Sequence, residues 1–177
     1  MIFFALCVLG FLAYGQTITY PFVHDEVVFI QNNPLIARFD WKEIVHGSGT
    51  SGLKWSSAIT NAYYRPLLEL FYRMEYALFG LHPAGYHFLN VLVHIANSLF
   101  VYGLVNILSG NKKWFSFAVA LFFLLHPVQT ESVACISGIS NLLFAFFSLV
   151  SLYLYSLGLQ RADAKIYFGS LGAFFLA

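Results

Sequence analysis

Two adjacent carboxylates, Asp25 and Glu26, follow the first apolar run and are flanked by His24. A carboxylate held beside a hydroxyl and partly withdrawn from water can take its proton. The pair is therefore a candidate general base at a membrane–water boundary, with a solvated loop start as the plainer alternative. Tyr63-Tyr64-Arg65-Pro66 sets two phenols and a guanidinium where proline is pre-organised to begin a helix. Arg65 offers a two-pronged donor for a phosphate near the membrane surface, or a simple ion pair with Glu69 four residues on. Tyr64 would sit with it at the headgroup level.

The segment His126-Pro127-Val128-Gln129-Thr130-Glu131 brings an imidazole, an amide and a carboxylate together. His126, Gln129 and Glu131 could orient a polar head group. A metal is the lesser reading, because no zinc-ligand spacing such as His-Glu-x-x-His occurs. The modest alternative is a helix N-cap by Thr130. In an otherwise apolar stretch, His87, Asn90, His94 and Asn97 recur at i, i+3, i+7 and i+10, which places them within roughly 80° of helical arc. Such a stripe faces a bundle or a cavity, not lipid. For Asn90, His94 and Asn97 the plain reading is glue between helices, whereas His87, at the outer end, is the better site candidate.

The elements that must position these groups are membrane spans. Of the 177 residues, 59% are hydrophobic and only 10% charged, against about a quarter charged in soluble domains. The chain reads as an all-α polytopic membrane bundle, a single membrane domain over residues 1–177. Spans are expected at about 2–16, 86–108, 114–125, 139–159 and 166–177. Residues 17–85 form a long outer loop with an amphipathic helix over Tyr64–Gly80. On that helix Arg65, Glu69, Tyr72, Arg73 and Tyr76 gather on one side, and four charges make it interfacial rather than spanning. Trp114–Leu125 covers only roughly 18 Å, so the following His126–Gly138 loop is expected to dip to membrane depth against protein or a wet cavity. The final stretch stops in mid-helix, and the chain is expected to be a fragment.

Asn111–Lys113 and Gln160–Lys165 carry four bases and one acid, whereas the 24–80 region and the His126–Gly138 loop carry five bases and seven acids. The positive-inside rule puts the first set in the cytoplasm and the second outside it, in a periplasm or lumen. A net charge of +1 gives no reason to expect nucleic acid. Cys7 and Cys135 have no metal-site or disulfide spacing.

Taken together, Asp25-Glu26, Asn33-Pro34, Tyr64-Arg65-Pro66-Leu67, Gly85-Tyr86-His87, Asn90, His94, Asn97, His126-Pro127-Val128-Gln129-Thr130-Glu131 and Ser137-Gly138 carry a family likeness. From about Phe22 to Leu157 the chain resembles the amino-terminal membrane region of the transmembrane O-mannosyltransferases with tetratricopeptide repeats and their prokaryotic relatives. These are glycosyltransferases of the GT-C superfamily.

The resemblance implies a multi-pass enzyme of a bacterial inner membrane or endoplasmic reticulum, with an extracytoplasmic active site. A sugar, mannose in the family, would pass from a polyprenyl-phosphate donor to a Ser or Thr hydroxyl of a protein acceptor, with inversion. Asp25, the better match to the family's base, and Glu26 would be catalytic. His24, Tyr64, Arg65, His87, His126, Gln129 and Glu131 would bind substrate, with Arg65 and His126 the nearest cations to the leaving phosphate. No cofactor is assigned, and a divalent metal stays an open alternative. One departure stands out: the family's Gly-Arg-x-Asp is here Gly138-Ile139-Ser140-Asn141, without either charge. That loss suits a rival reading, a non-catalytic membrane scaffold. A transporter-like bundle with the polar stripe along its path is the second rival.

Overall fold

The structure is a computed structural model that describes residues 1–23, 25–46 and 66–177. Among them every regular element is helical. The α-helices are α1 (Ile2–Tyr14), α2 (Trp41–His46), α3 (Pro66–Phe79), α4 (Pro83–Leu108), α5 (Lys113–Leu125), α6 (Thr130–Ala134), α7 (Ile139–Arg161) and α8 (Ala164–Leu176). The described residues fall into two compact units, one of Met1–Thr17 with Phe88–Ala177 and one of Ile18–His87.

Among the described residues, three helical stretches are long and apolar enough to cross a membrane: Ile2–Thr19, Pro83–Leu108 and Ile136–Arg161. At ~1.5 Å per residue α4 reaches ~39 Å, more than the ~30 Å of a hydrocarbon core. Lys113–Leu125 and Pro127–Ala134 form a fourth crossing or a re-entrant turn, bent by 46°. This is an integral membrane protein, and its outward residues fit: Phe4, Leu12, Phe122, Phe144 and Leu152 are exposed. Lipid, unlike water, exacts no penalty for that surface.

α7 and α8 form a helical hairpin. Its turn closes on Ala162 at φ 51° and on Asp163, whose carboxylate accepts from the Lys165 N–H at 2.8 Å. Small residues let the helices approach: a Cβ on Gly158 would lie 3.0 Å from the Tyr167 backbone nitrogen. Ser151 Oγ donates to the Ser170 carbonyl at 2.8 Å, the close polar contact favoured between membrane helices.

The segment read as the His126–Gly138 loop is instead a chain of helical turns: a 3-10 turn at Pro127–Gln129, then α6, then a 3-10 turn at Ile136–Gly138. Backbone polar groups near membrane depth need partners, and short helical turns supply most of them locally. Residues 25–46 likewise carry more order than a loop, with a π turn at Val27–Gln31 and α2. Gly138 closes the second 3-10 turn where a Cβ would overlap the Ser132 carbonyl. Gly138→Ala is therefore expected to cost about 1–3 kcal/mol through forced backbone movement. Thermal unfolding in detergent measures it, and an unchanged melting temperature would contradict this packing.

Candidate functional site

In the unit Ile18–His87 the two neighbouring carboxylates part company. Asp25 is exposed; Glu26 is buried, with Oε2 accepting the Val23 N–H at 2.9 Å. The Glu26 N–H in turn donates to the Val23 carbonyl at 3.2 Å, so Glu26 ties down the turn that presents Asp25 outward. Asn33 continues the frame: its amide donates to the Phe29 carbonyl at 3.0 Å and its Oδ1 accepts from the Leu35 N–H at 2.9 Å, a turn of the Asx kind. His87 is buried, with Tyr20 edge-on to its ring at 6.1 Å. Tyr86 beside it stacks edge-on with Phe22 at 5.5 Å and donates to the Gly80 carbonyl at 2.8 Å. His24, Tyr64 and Arg65 lie outside the described residues.

α3 is amphipathic as its sequence requires, but its polar side is the one turned inward. Glu69, Tyr72, Arg73 and Glu75 are buried, whereas Met74 and Leu78 are exposed. Arg73 donates to Glu69 Oε1 at 2.7 Å, one turn away. Glu75 has no such neighbour. At 100° per residue it stands roughly 160° around the helix from Arg73, and neither of its oxygens has a hydrogen-bond partner among the described residues.

Burial raises the Glu75 carboxyl from 4.5 to about 8. Between those values the folded protein keeps a proton that the unfolded chain releases, so stability falls as pH rises through that window. The slope is up to roughly 1.4 kcal/mol per pH unit. Melting curves from pH 5 to 8 should show this decline in the wild type and a flatter profile in Glu75→Gln. Equal slopes would remove Glu75 as the cause.

Sequence reading passed over Glu75 as one of four charges. The available signal was a carboxylate with no base three or four residues away on either side, where Phe71, Tyr72, Leu78 and Phe79 stand.

In the other unit the polar stripe of α4 is stitched to backbone. Asn90 Nδ2 donates to the Cys135 carbonyl at 2.7 Å, His94 Nε2 to Leu124 at 3.0 Å and Asn97 Nδ2 to Leu142 at 3.0 Å. The acceptor in each case is a carbonyl, so each side chain must be the donor. Tyr14 Oη donates to the same Leu124 carbonyl at 3.1 Å. That carbonyl stands at the end of α5, where its helical donor, the Val128 N–H, goes instead to His126 Nδ1 at 3.2 Å. The side chains thus restore bonds that the bend removes.

His126, rather than Thr130, is the capping residue here, and Thr130 is the first residue of α6. With Nδ1 accepting, the neutral ring carries its proton on Nε2. His126 and Gln129 are half-buried and Glu131 is exposed. Ile139, where the resemblance expects arginine, is fully buried, and exposed Asn141 donates to Ser132 Oγ at 3.4 Å. Among the described residues no three His, Cys, Asp or Glu side chains lie together as metal ligands would.

The structure therefore sets Asp25, Glu26 and His87 in one unit and His126, Gln129 and Glu131 in the other.

The chain is similar to human protein O-mannosyl-transferase TMTC2, 33% identical over 152 residues, covering 83% of this chain and 18% of the relative. Mouse TMTC1 is 30% identical over 156 residues (86% and 16%), and mouse TMTC4 is 32% identical over 180 residues (92% and 24%). The chain thus spans about a fifth of the length of these curated relatives. No family model matches it, and no solved structure does. The likeness read from its motifs holds across the chain, which is a relative, over most of its length, of the transmembrane protein O-mannosyl-transferases of the GT-C superfamily.

Proposed function

We propose that the intact protein is a membrane glycosyltransferase that moves mannose from a polyprenyl-phosphate donor to a Ser or Thr hydroxyl of a protein acceptor, outside the cytoplasm. The observation that carries this reading is the similarity to curated protein O-mannosyl-transferases over most of the chain. The exposed Asp25 beside an anchored Glu26 supports it locally.

In this reaction the Asp25 carboxylate takes the hydroxyl proton as the oxygen attacks the anomeric carbon. The bond from that carbon to the phosphate oxygen breaks on the opposite face, inverting the centre and releasing polyprenyl phosphate. Glu26 holds the turn that carries Asp25. Arg65 and His126 supply positive charge or N–H donors to the departing phosphate, where electrostatic stabilisation contributes most. His24, Tyr64, His87, Gln129 and Glu131 contact donor and acceptor; much of the remaining rate comes from orientation.

The burial of Ile139 in place of a cation favours the scaffold reading, and one experiment separates the two. Proteoliposomes holding the intact protein are given polyprenyl-phosphate [3H]mannose and a Ser/Thr-containing peptide. Label should enter the peptide with inverted anomeric configuration, and not a peptide with alanine at those positions. No transfer by the wild type would overturn the enzyme and leave the scaffold.

A further inference from the structure

Among the described charged groups that the proposed reaction leaves unused, Glu75 is buried with neither oxygen satisfied. It is 1% exposed, and both oxygens lack hydrogen-bond partners among the described residues. An unmet buried polar group costs ~1–3 kcal/mol, so its presence calls for a further partner. Its surroundings narrow the class. Arg73 stands at the other edge of this inward side and is engaged with Glu69, so no cation among the described residues is paired with Glu75. The Tyr86 hydroxyl is committed to the Gly80 carbonyl at 2.8 Å. The remaining polar groups on this side of α3 are the phenols of Tyr72 and Tyr76.

With its carboxyl raised to about 8, Glu75 is mostly protonated at pH 7. It then offers one O–H donor and one carbonyl acceptor rather than a negative charge. A cation gains little from such a group, and an apolar ligand would leave it unmet. A hydroxyl, which donates and accepts at once, satisfies both atoms.

We propose that Glu75 reads a sugar hydroxyl, binding one hydroxyl of the carbohydrate from the inward polar side of α3. This deepens the proposed transferase and rests on that reading for the identity of the sugar. It makes Glu75 a specificity-determining residue, because a site built to bond a hydroxyl rejects analogues that lack it.

The probe is methyl α-mannoside, titrated into the intact protein in detergent at pH 7, with binding followed by saturation-transfer NMR. Glu75→Leu should weaken binding ~10-fold or more, with a melting temperature equal to or above the wild type, since leucine removes two unmet oxygens. A merely structural carboxyl would leave binding unchanged, and that result overturns the proposal. Should Glu75→Leu fail to fold, the wild type and the four mono-deoxy mannosides decide. One of them should bind ~10-fold more weakly, and equal affinities for all would overturn the proposal. Wild type that binds none of these sugars also sinks it. Binding is read without transfer, so the two readings fail separately: Glu75-dependent binding without transfer removes the transferase alone, and transfer with Glu75-independent binding removes this inference alone.

Discussion

Asp25→Asn is expected to lower mannose transfer by ~10²–10⁴-fold while leaving the fold intact. Asparagine matches aspartate in shape but cannot take a proton from the attacking hydroxyl. Asp25 is exposed at the surface of its unit, so the exchange disturbs little packing and melting should move by less than ~0.5 kcal/mol. Its neighbour should behave in the opposite way. Glu26 is buried and holds the Val23 N–H, so Glu26→Ala leaves that donor unmet and costs ~1–3 kcal/mol of stability. The measurement is transfer rate beside melting temperature for both variants. Near-normal transfer by Asp25→Asn would show that the base lies elsewhere.

The second large effect concerns the pair inside α3. Arg73→Met is expected to destabilise the protein by ~3–5 kcal/mol, because it strands the Glu69 carboxylate in a buried place. Replacing both partners, Glu69→Leu with Arg73→Met, should recover much of that loss, since two buried charges and their desolvation disappear together. Arg73 makes further contacts, so recovery is expected to be incomplete. Thermal unfolding of the two single variants and the double variant gives the coupling directly. A single variant as stable as the wild type would contradict the buried pair.

The spans were legible because a helix that crosses lipid has few alternatives: long uncharged runs mark α1, α4 and α7 within a few residues. The stripe on α4 was legible as glue for the same reason, since Asn90, His94 and Asn97 share one arc and cannot face lipid. Their partners were not legible. The Leu124, Cys135 and Leu142 carbonyls carry no mark in the sequence, and they become acceptors only where helices end or cross. Tyr14 was missed likewise, because a tyrosine ending an apolar run looks like an interfacial anchor until its hydroxyl meets the Leu124 carbonyl.

For α3 the two-sidedness was readable, but not which side faces inward. In water an amphipathic helix buries its apolar side; beside lipid either orientation is available, and tertiary packing decides. The same ambiguity hid the contrast between Asp25 and Glu26, since adjacent residues on a turn diverge only once the turn is fixed.

The inverted setting of α3 carries a practical lesson for biochemistry at the bench. Excised and expressed by itself, the stretch Ile18–His87 would offer Met74, Leu78 and Leu81 to water while keeping the charged groups of α3 shut away, the reverse of what solubility demands of that helix. Such a piece should precipitate or cling to micelles, so antibodies, crystals and binding assays for this region are best sought in nanodiscs rather than in buffer.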